Sequence, residues 1–289
     1  MTPTRRHDAQ VGAACVVGGA TSIQTSAAIG LPAFAAIGAA ATSGFRFLFG
    51  AVILAVAVRP SLRGRDRAAW LGIAAFGLAV AAMNLCFFQA VARIPLGTAV
   101  SIEFLGPFTL ALVTGSGRRH YLFAVLGLAG VLLLARPGGG LTLTGAIFAL
   151  GAAVGWASYT LASKRLGSVT EGVDGLALAL CVAAVLTSPF AARALGSMTW
   201  AVAGRLCAMA LLGVVLGFAL ELAALRRLPA SRVAVLFSLN PAIAFAVGWL
   251  ILGQHVTASV LAGGICVVAA GIGVTADAAR ETAALPPAA

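Results

Sequence analysis

The sequence predicts an all-α membrane protein with ten transmembrane helices arranged as two inverted five-helix repeats, and three observations carry that prediction. Hydrophobic residues make up 61% of the 289 and charged residues only 9%, with a mean hydropathy of +1.05. Soluble domains are roughly half apolar and a quarter charged. Apolar runs of about 20 residues, the length that crosses a hydrocarbon core about 30 Å thick, recur along the whole chain. The second half then repeats features of the first at an offset of 134 residues. Only helices and closed barrels satisfy every backbone group in lipid, and runs this long without period-2 alternation exclude a barrel.

The first span, 11–30, follows Arg5 and Arg6 and is not followed by a small-residue cleavage site, so it reads as a retained helix. Spans 37–58 and 69–92 are separated by the cluster Arg59, Arg63, Arg65 and Arg67. Span 96–115 contains Pro107, which removes a backbone bond and permits a kink. Span 121–135 is short enough to extend into its polar flanks. Gly138-Gly139-Gly140 after Pro137 forms the hinge between residues 1–140 and 141–289; no Gly-Lys-Ser/Thr follows, which excludes a phosphate loop. The second half holds spans 141–163, 175–194, 206–225, 230–252 and 258–276, with Pro241 inside the fourth of these and a short tail after the last. Gly151 with Gly155, and Gly213 with Gly217, are small-xxx-small pairs that let backbones approach closely.

The net charge of +11 would point to nucleic acid in a soluble protein, but here the arginines sit at the ends of apolar runs and read as topology signals. With the N-terminus inside, fourteen cations fall on the cytoplasmic side and four, Arg93, Arg136, Arg193 and Arg205, on the other. That bias places both termini in the cytoplasm.

The repeat emerges when Pro95 is laid on Pro229: Arg93 then meets Arg227, Leu105 meets Leu239 and Pro107 meets Pro241. One residue off that offset, Gly12-Ala13 meets Gly145-Ala146 and Gly18 meets Gly151. Five helices per half, an odd number, require the halves to enter the membrane in opposite senses. In secondary transporters this arrangement puts a binding site near the midplane.

Glu103 lies eight residues, roughly 12 Å, beyond Pro95, near the middle of the hydrocarbon core. A charged group there costs about 2.5–3.5 kcal/mol or more, so it reads as a substrate or ion site facing the protein interior. The other deep polar residues are Ser22, Gln24, Arg46, Asn84, Gln89, Glu221 and Asn240, and a shared polar cavity satisfies them more economically than separate lipid-facing positions. Arg46 and Glu221 lie near enough to span ends to snorkel instead. Trp156 and Tyr159, three apart, share a helix face, either as a cavity wall or as ordinary packing. The expected substrate-binding set is Gln24, Arg46, Asn84, Glu103, Trp156, Tyr159, Glu221 and Asn240, with Glu103 also the coupling residue. One acid at Glu103, a second at Glu221 and the cation Arg46 suit a zwitterion, its carboxylate toward Arg46 and its ammonium toward Glu103.

Enzyme chemistry is poorly represented. The histidines His7, His120 and His255 lie at span ends, no Asp lies mid-span and no Ser has a base beside it. Cys15, Cys86, Cys181, Cys207 and Cys266 occur singly, without metal-ligand or disulfide spacing, and no Walker motif is present. The expectation is a transporter without cofactor or metal, whose partners are the lipid bilayer, a small-molecule substrate and protons, with no nucleic acid; the competing readings are an exporter of other metabolites or drugs, and a passive channel or structural subunit.

Ser22-Ile23-Gln24, Arg46 in Gly-Phe-Arg-Phe, Met83-Asn84, Pro95-Leu96-Gly97, Glu103-Phe104 with Gly106-Pro107, and Leu220-Glu221-Leu222 together resemble the EamA-type transporters of the drug/metabolite transporter superfamily, most of all its threonine and homoserine exporters. The resemblance spans nearly the whole chain. It implies a bacterial inner-membrane exporter of small amino acids or related metabolites, driven by an ion gradient, with a central cavity lined by the first, third, fourth, sixth, eighth and ninth helices. Two positions depart from the exporter pattern, where acids are usual: Asn240 before Pro241, and Gln254 after Leu252-Gly253. Both departures bear on substrate range and on coupling.

Overall fold

The computed structural model describes residues 3–114, 118–134, 140–169 and 174–284, and every long regular element within them is helical. The first half contains α1 (Pro3–Ile37), α2 (Ala39–Val58), α3 (Arg67–Val91), α4 (Leu96–Glu103), α5 (Leu105–Thr114) and α6 (Arg118–Leu134). The second contains α7 (Leu143–Val169), α8 (Asp174–Arg193), α9 (Trp200–Ala210), α10 (Gly217–Leu225), α11 (Ala230–Phe237), α12 (Asn240–Leu252) and α13 (Ala258–Ala284). A π-helical stretch, Leu211–Leu216, joins α9 to α10. Among the described residues eight helical segments are long and apolar enough to cross a membrane, and Leu96–Leu110 and Tyr121–Leu134 are shorter apolar helices. This is a multi-pass membrane protein.

Local chemistry sets the boundaries. α1 runs on through Pro32 to Ile37, beyond the expected end at residue 30. It stops at Gly38, whose φ of 82° favours glycine, and α2 starts at the next residue, so one residue reverses the chain. Asp66 caps α3 by accepting the Ala69 N–H at 2.7 Å. Arg65 pairs with Asp174 at 3.4 Å and thereby fastens the α2–α3 loop to the start of α8.

The expected fourth and ninth spans are interrupted, not continuous. Pro95 (φ −55°, ψ 143°) precedes an eight-residue α4, and Pro229 (φ −56°, ψ 142°) precedes an eight-residue α11. The breaks fall at Phe104 and at Ser238-Leu239, just before Pro107 and Pro241. Proline has no N–H for the carbonyl four residues back, so Pro107 and Pro241 leave the carbonyls of Glu103 and Phe237 without their helical donors. The expected eighth span starts earlier, at Trp200, and contains the π-helical stretch. α6 extends back to Arg118, as its length required. Of the predicted hinge, Gly138 and Gly139 lie outside the described residues.

Glycine marks each main helix crossing, because only a missing Cβ lets two backbones come this close. A Cβ on Gly155 of α7 would lie 2.7 Å from Met83 Cα of α3, and one on Gly44 of α2 would lie 2.8 Å from the Thr187 carbonyl oxygen of α8. Gly130 of α6 and Gly263 of α13 meet reciprocally, at 2.8 and 2.7 Å from each other's carbonyl oxygens. Between α4 and α12, Gly97 accommodates the Phe245 ring. Gln254, just past α12, reaches back across this pair, its Oε1 accepting the Leu96 N–H at the start of α4 at 3.1 Å. Outward-facing Val52, Leu78, Leu128, Val154 and Leu250 give the bundle an apolar exterior suited to lipid.

Candidate functional site

Arg46 is buried, 8% exposed, so it does not snorkel to the interface. Its Nη1 donates to Asn84 Oδ1, and its guanidinium carbon sits 5.4 Å from the centre of the Phe88 ring. Asn84 and Phe88 are four apart on α3 and so present one face to α2. The third wall is Gly213 of the π-helical stretch, where an added Cβ would fall 2.5 Å from Arg46 Nη2. Arg46 Nε has no hydrogen-bond partner among the described residues.

Glu103 ends α4 and is 7% exposed. It lies within electrostatic range of Arg46, yet no ion pair within 4.0 Å joins the two. Arg46 and Glu103 are thus two buried ionisable side chains of opposite type within electrostatic range of each other and not joined in an ion pair. Beside Glu103, Phe104 meets Trp156 edge-on, ring centres 6.0 Å apart. Thr98, one helical turn or so earlier on α4, has a buried Oγ1 without a partner among the described residues.

Ser22 and Ser26, one turn apart on α1, donate to the carbonyl oxygens of Leu212 and Met209 at 2.8 and 2.9 Å. A π turn holds one residue more than an α turn and widens the backbone locally, and such turns recur at functional sites. Gln24 lies between the two serines in sequence, buried, with its Oε1 unpartnered among the described residues. Asn240 is 5% exposed at the start of α12, which packs against α1 and α4.

The structure therefore unites Arg46, Asn84 and Glu103 and puts Trp156 at the edge of that group through Phe104. Tyr159 points elsewhere: its ring lies 5.0 Å from Phe76, and it is within electrostatic range of Glu221, which is partly buried on α10. Trp156 and Tyr159 share a helix face but contact different neighbours. Phe88, Ser26 and Gly213 belong to the interior group and were not anticipated. Phe88 could have been found by its spacing of four from Asn84, and Ser26 by its spacing of four from Ser22. Among the described residues no three His, Cys, Asp or Glu side chains cluster as metal ligands, and all five cysteines are free.

A separate open groove of about 560 Å³ lies at the end of the bundle where α1 turns into α2. Phe34, the Gly38 turn, Gln89 and Arg93 of the α3 end, and Phe190 and Arg193 of the α8 end line it.

The EamA-like transporter family matches residues 143–276. The threonine/homoserine exporter RhtA of Salmonella typhimurium (strain SL1344) is 31% identical over 266 residues, 90% of either chain, and the protein of that name from Escherichia coli K12 is 32% identical over 268 residues, again 90% of each. The uncharacterized transporter YvbV of Bacillus subtilis is 26% identical over 244 residues, 78% of this chain and 79% of its own. A solved crystal structure covering 96% of this chain and 99% of its own superposes with a TM-score of 0.62 at 19% identity, a likeness of fold alone. With sequence similarity along nine-tenths of its length to transporters, and a family match across its second half, this chain belongs to the EamA-like transporter family.

Proposed function

We propose that the protein is a proton-coupled secondary exporter of small neutral amino acids, such as threonine or homoserine, or of related metabolites, across the bacterial inner membrane. The observation that carries this reading is the buried pair of oppositely ionisable side chains, Arg46 and Glu103, not joined in an ion pair, in a chain whose relatives are named as threonine/homoserine exporters. A zwitterion answers both charges: its carboxylate takes the unpartnered Nε of Arg46 and its ammonium takes Glu103. Asn84 holds the guanidinium in place, Gln24 and Asn240 supply further polar contacts, Trp156 bounds the apolar side, and Tyr159 with Glu221 forms a second polar station. Dicarboxylates and polycations leave one charge uncompensated and are disfavoured.

Export then follows from exchange at Glu103. An ammonium-bearing substrate arrives from the cytoplasm, a proton from outside displaces it, the neutral carboxyl resets the carrier, and Glu103 releases that proton to the cytoplasm as the next substrate binds. Inverted halves give the two access states. The equal eight-residue helices after Pro95 and Pro229, broken at positions related by the same 134-residue offset, support that symmetry, as does the family match over 143–276, close to the second repeat at 141–289.

The test measures uptake of labelled amino acids into everted vesicles, whose cytoplasmic face is outermost, under imposed gradients with the lumen acid. Glu103→Gln keeps volume and hydrogen bonding and removes titration. Gradient-driven transport is expected to fall to background with its pH dependence flattened, while the protein still inserts. Unchanged pH dependence in the variant would make Glu103 structural, and downhill flux indifferent to the gradient in the wild type would make the protein a passive channel.

A further inference from the structure

We infer that the groove at the α1–α2 turn is a second substrate site, a release station on the outer face in which Arg93 and Arg193 hold the carboxylate after it leaves Arg46. The inference rests on the amino-acid exporter reading above. Three features carry it. First, the groove, at about 560 Å³, falls within the roughly 300–1,000 Å³ typical of small-molecule sites, and its lining holds two arginines and a glutamine but no acid. Second, the positive-inside bias disfavours cations on the outer side, yet two of the four assigned there by sequence line this one groove. Arg93 is held in a fixed pose, its Nη1 donating to the Gln89 carbonyl at 2.6 Å and to Gln89 Oε1 at 2.5 Å, with its guanidinium 4.9 Å from the Phe148 ring centre. Arg193 is exposed and has no hydrogen-bond or ion-pair partner among the described residues.

Third, the groove adjoins the interior site. Phe34 lines the groove and its ring lies 5.2 Å from Phe88, the same ring on which Arg46 rests. Ala41, also in the lining, is five residues or about 7.5 Å along α2 from Arg46. Two aromatic rings therefore separate the interior arginine from the outer pair, and their displacement would pass a carboxylate from one cation to the next without leaving it uncompensated in an apolar environment.

Counterflow of threonine in right-side-out vesicles tests this by varying the external concentration. Loss of one exposed ionic contact, worth up to about 1 kcal/mol, corresponds to about a fivefold change in affinity. Arg193→Gln should therefore raise the external half-saturation about fivefold while the internal value moves less, and Arg193→Lys should restore part of the difference. The measurement is repeated in proteoliposomes with and without phosphatidylglycerol, because a lipid phosphate offers the same chemistry as a carboxylate. An effect seen only with the anionic lipid identifies a lipid site and overturns the inference. So does an unchanged external half-saturation, or an equal change on both faces. Absence of threonine counterflow in the wild type overturns the amino-acid reading and this inference with it, whereas normal wild-type counterflow with an unaltered Arg193→Gln overturns the inference alone.

Discussion

Gln254 stands where the exporters this chain resembles usually carry an acid, and its geometry explains what either residue can do there. Its Oε1 accepts the Leu96 N–H at the first turn of α4, whose cap residue Pro95 offers no side-chain bond. A carboxylate would accept the same bond and add a favourable charge at the positive end of the helix. Gln254→Glu is therefore expected to match or exceed the wild type in thermal midpoint in detergent. Gln254→Leu should lower stability by about 0.5–1.5 kcal/mol through the lost bond. Asn240, the other departure, starts α12 as a buried side chain, so its neutral amide avoids a second buried negative charge in the part of the bundle that already holds Glu103. At this scale the sequence announced Arg46, Asn84 and Glu103 through the cost of polar groups in an apolar run. It did not announce Phe88 or Gly213, because an apolar ring and a glycine look like packing until a cation is found against them.

The helices carry their function in their interruptions. α4 breaks one residue past Glu103 because Pro107 cannot bond the Glu103 carbonyl, so the acid sits at a helix end. The π-helical stretch has no proline to account for it. Leu-Leu-Gly-Val-Val-Leu reads as ordinary apolar helix, and the extra residue in the turn is visible only through the carbonyls of Met209 and Leu212, which take hydroxyl bonds from Ser26 and Ser22. If those bonds hold the widened turn against α1, the Ser22→Ala, Ser26→Ala double variant should lose about 1–3 kcal/mol, given that single interhelical bonds in membranes are worth about 0.6–1.7 kcal/mol. Denaturant unfolding in detergent measures the loss. A double variant as stable as the wild type would mean the turn is held by Gly213 and Gly217 packing alone.

For the whole molecule, orientation is the property that packing does not decide, since a bundle turned over in the membrane keeps all its internal contacts. Charge is what bears on it: the bias of fourteen cations against four leads to the expectation that both termini are cytoplasmic. Reporter fusions after Gly139 and after Gly167 should accordingly report opposite sides, and like signals would break the ten-helix topology. The sequence by itself determined that the chain is helical and membrane-spanning, because hydropathy and run length are local properties read along one dimension, and the spacing of its prolines raised the expectation of an internal duplication. Tertiary structure alone decided that Arg46 and Glu103 are buried within electrostatic range of each other without an ion pair, that Tyr159 packs against Phe76, and that Arg93 and Arg193, a hundred residues apart, line one groove. The physical reason is that most of the membrane-spanning helices here are apolar nearly all round, so hydrophobicity does little to choose which face meets which neighbour. Close glycine contacts and a handful of buried polar groups make that choice, and they act between helices distant in the chain.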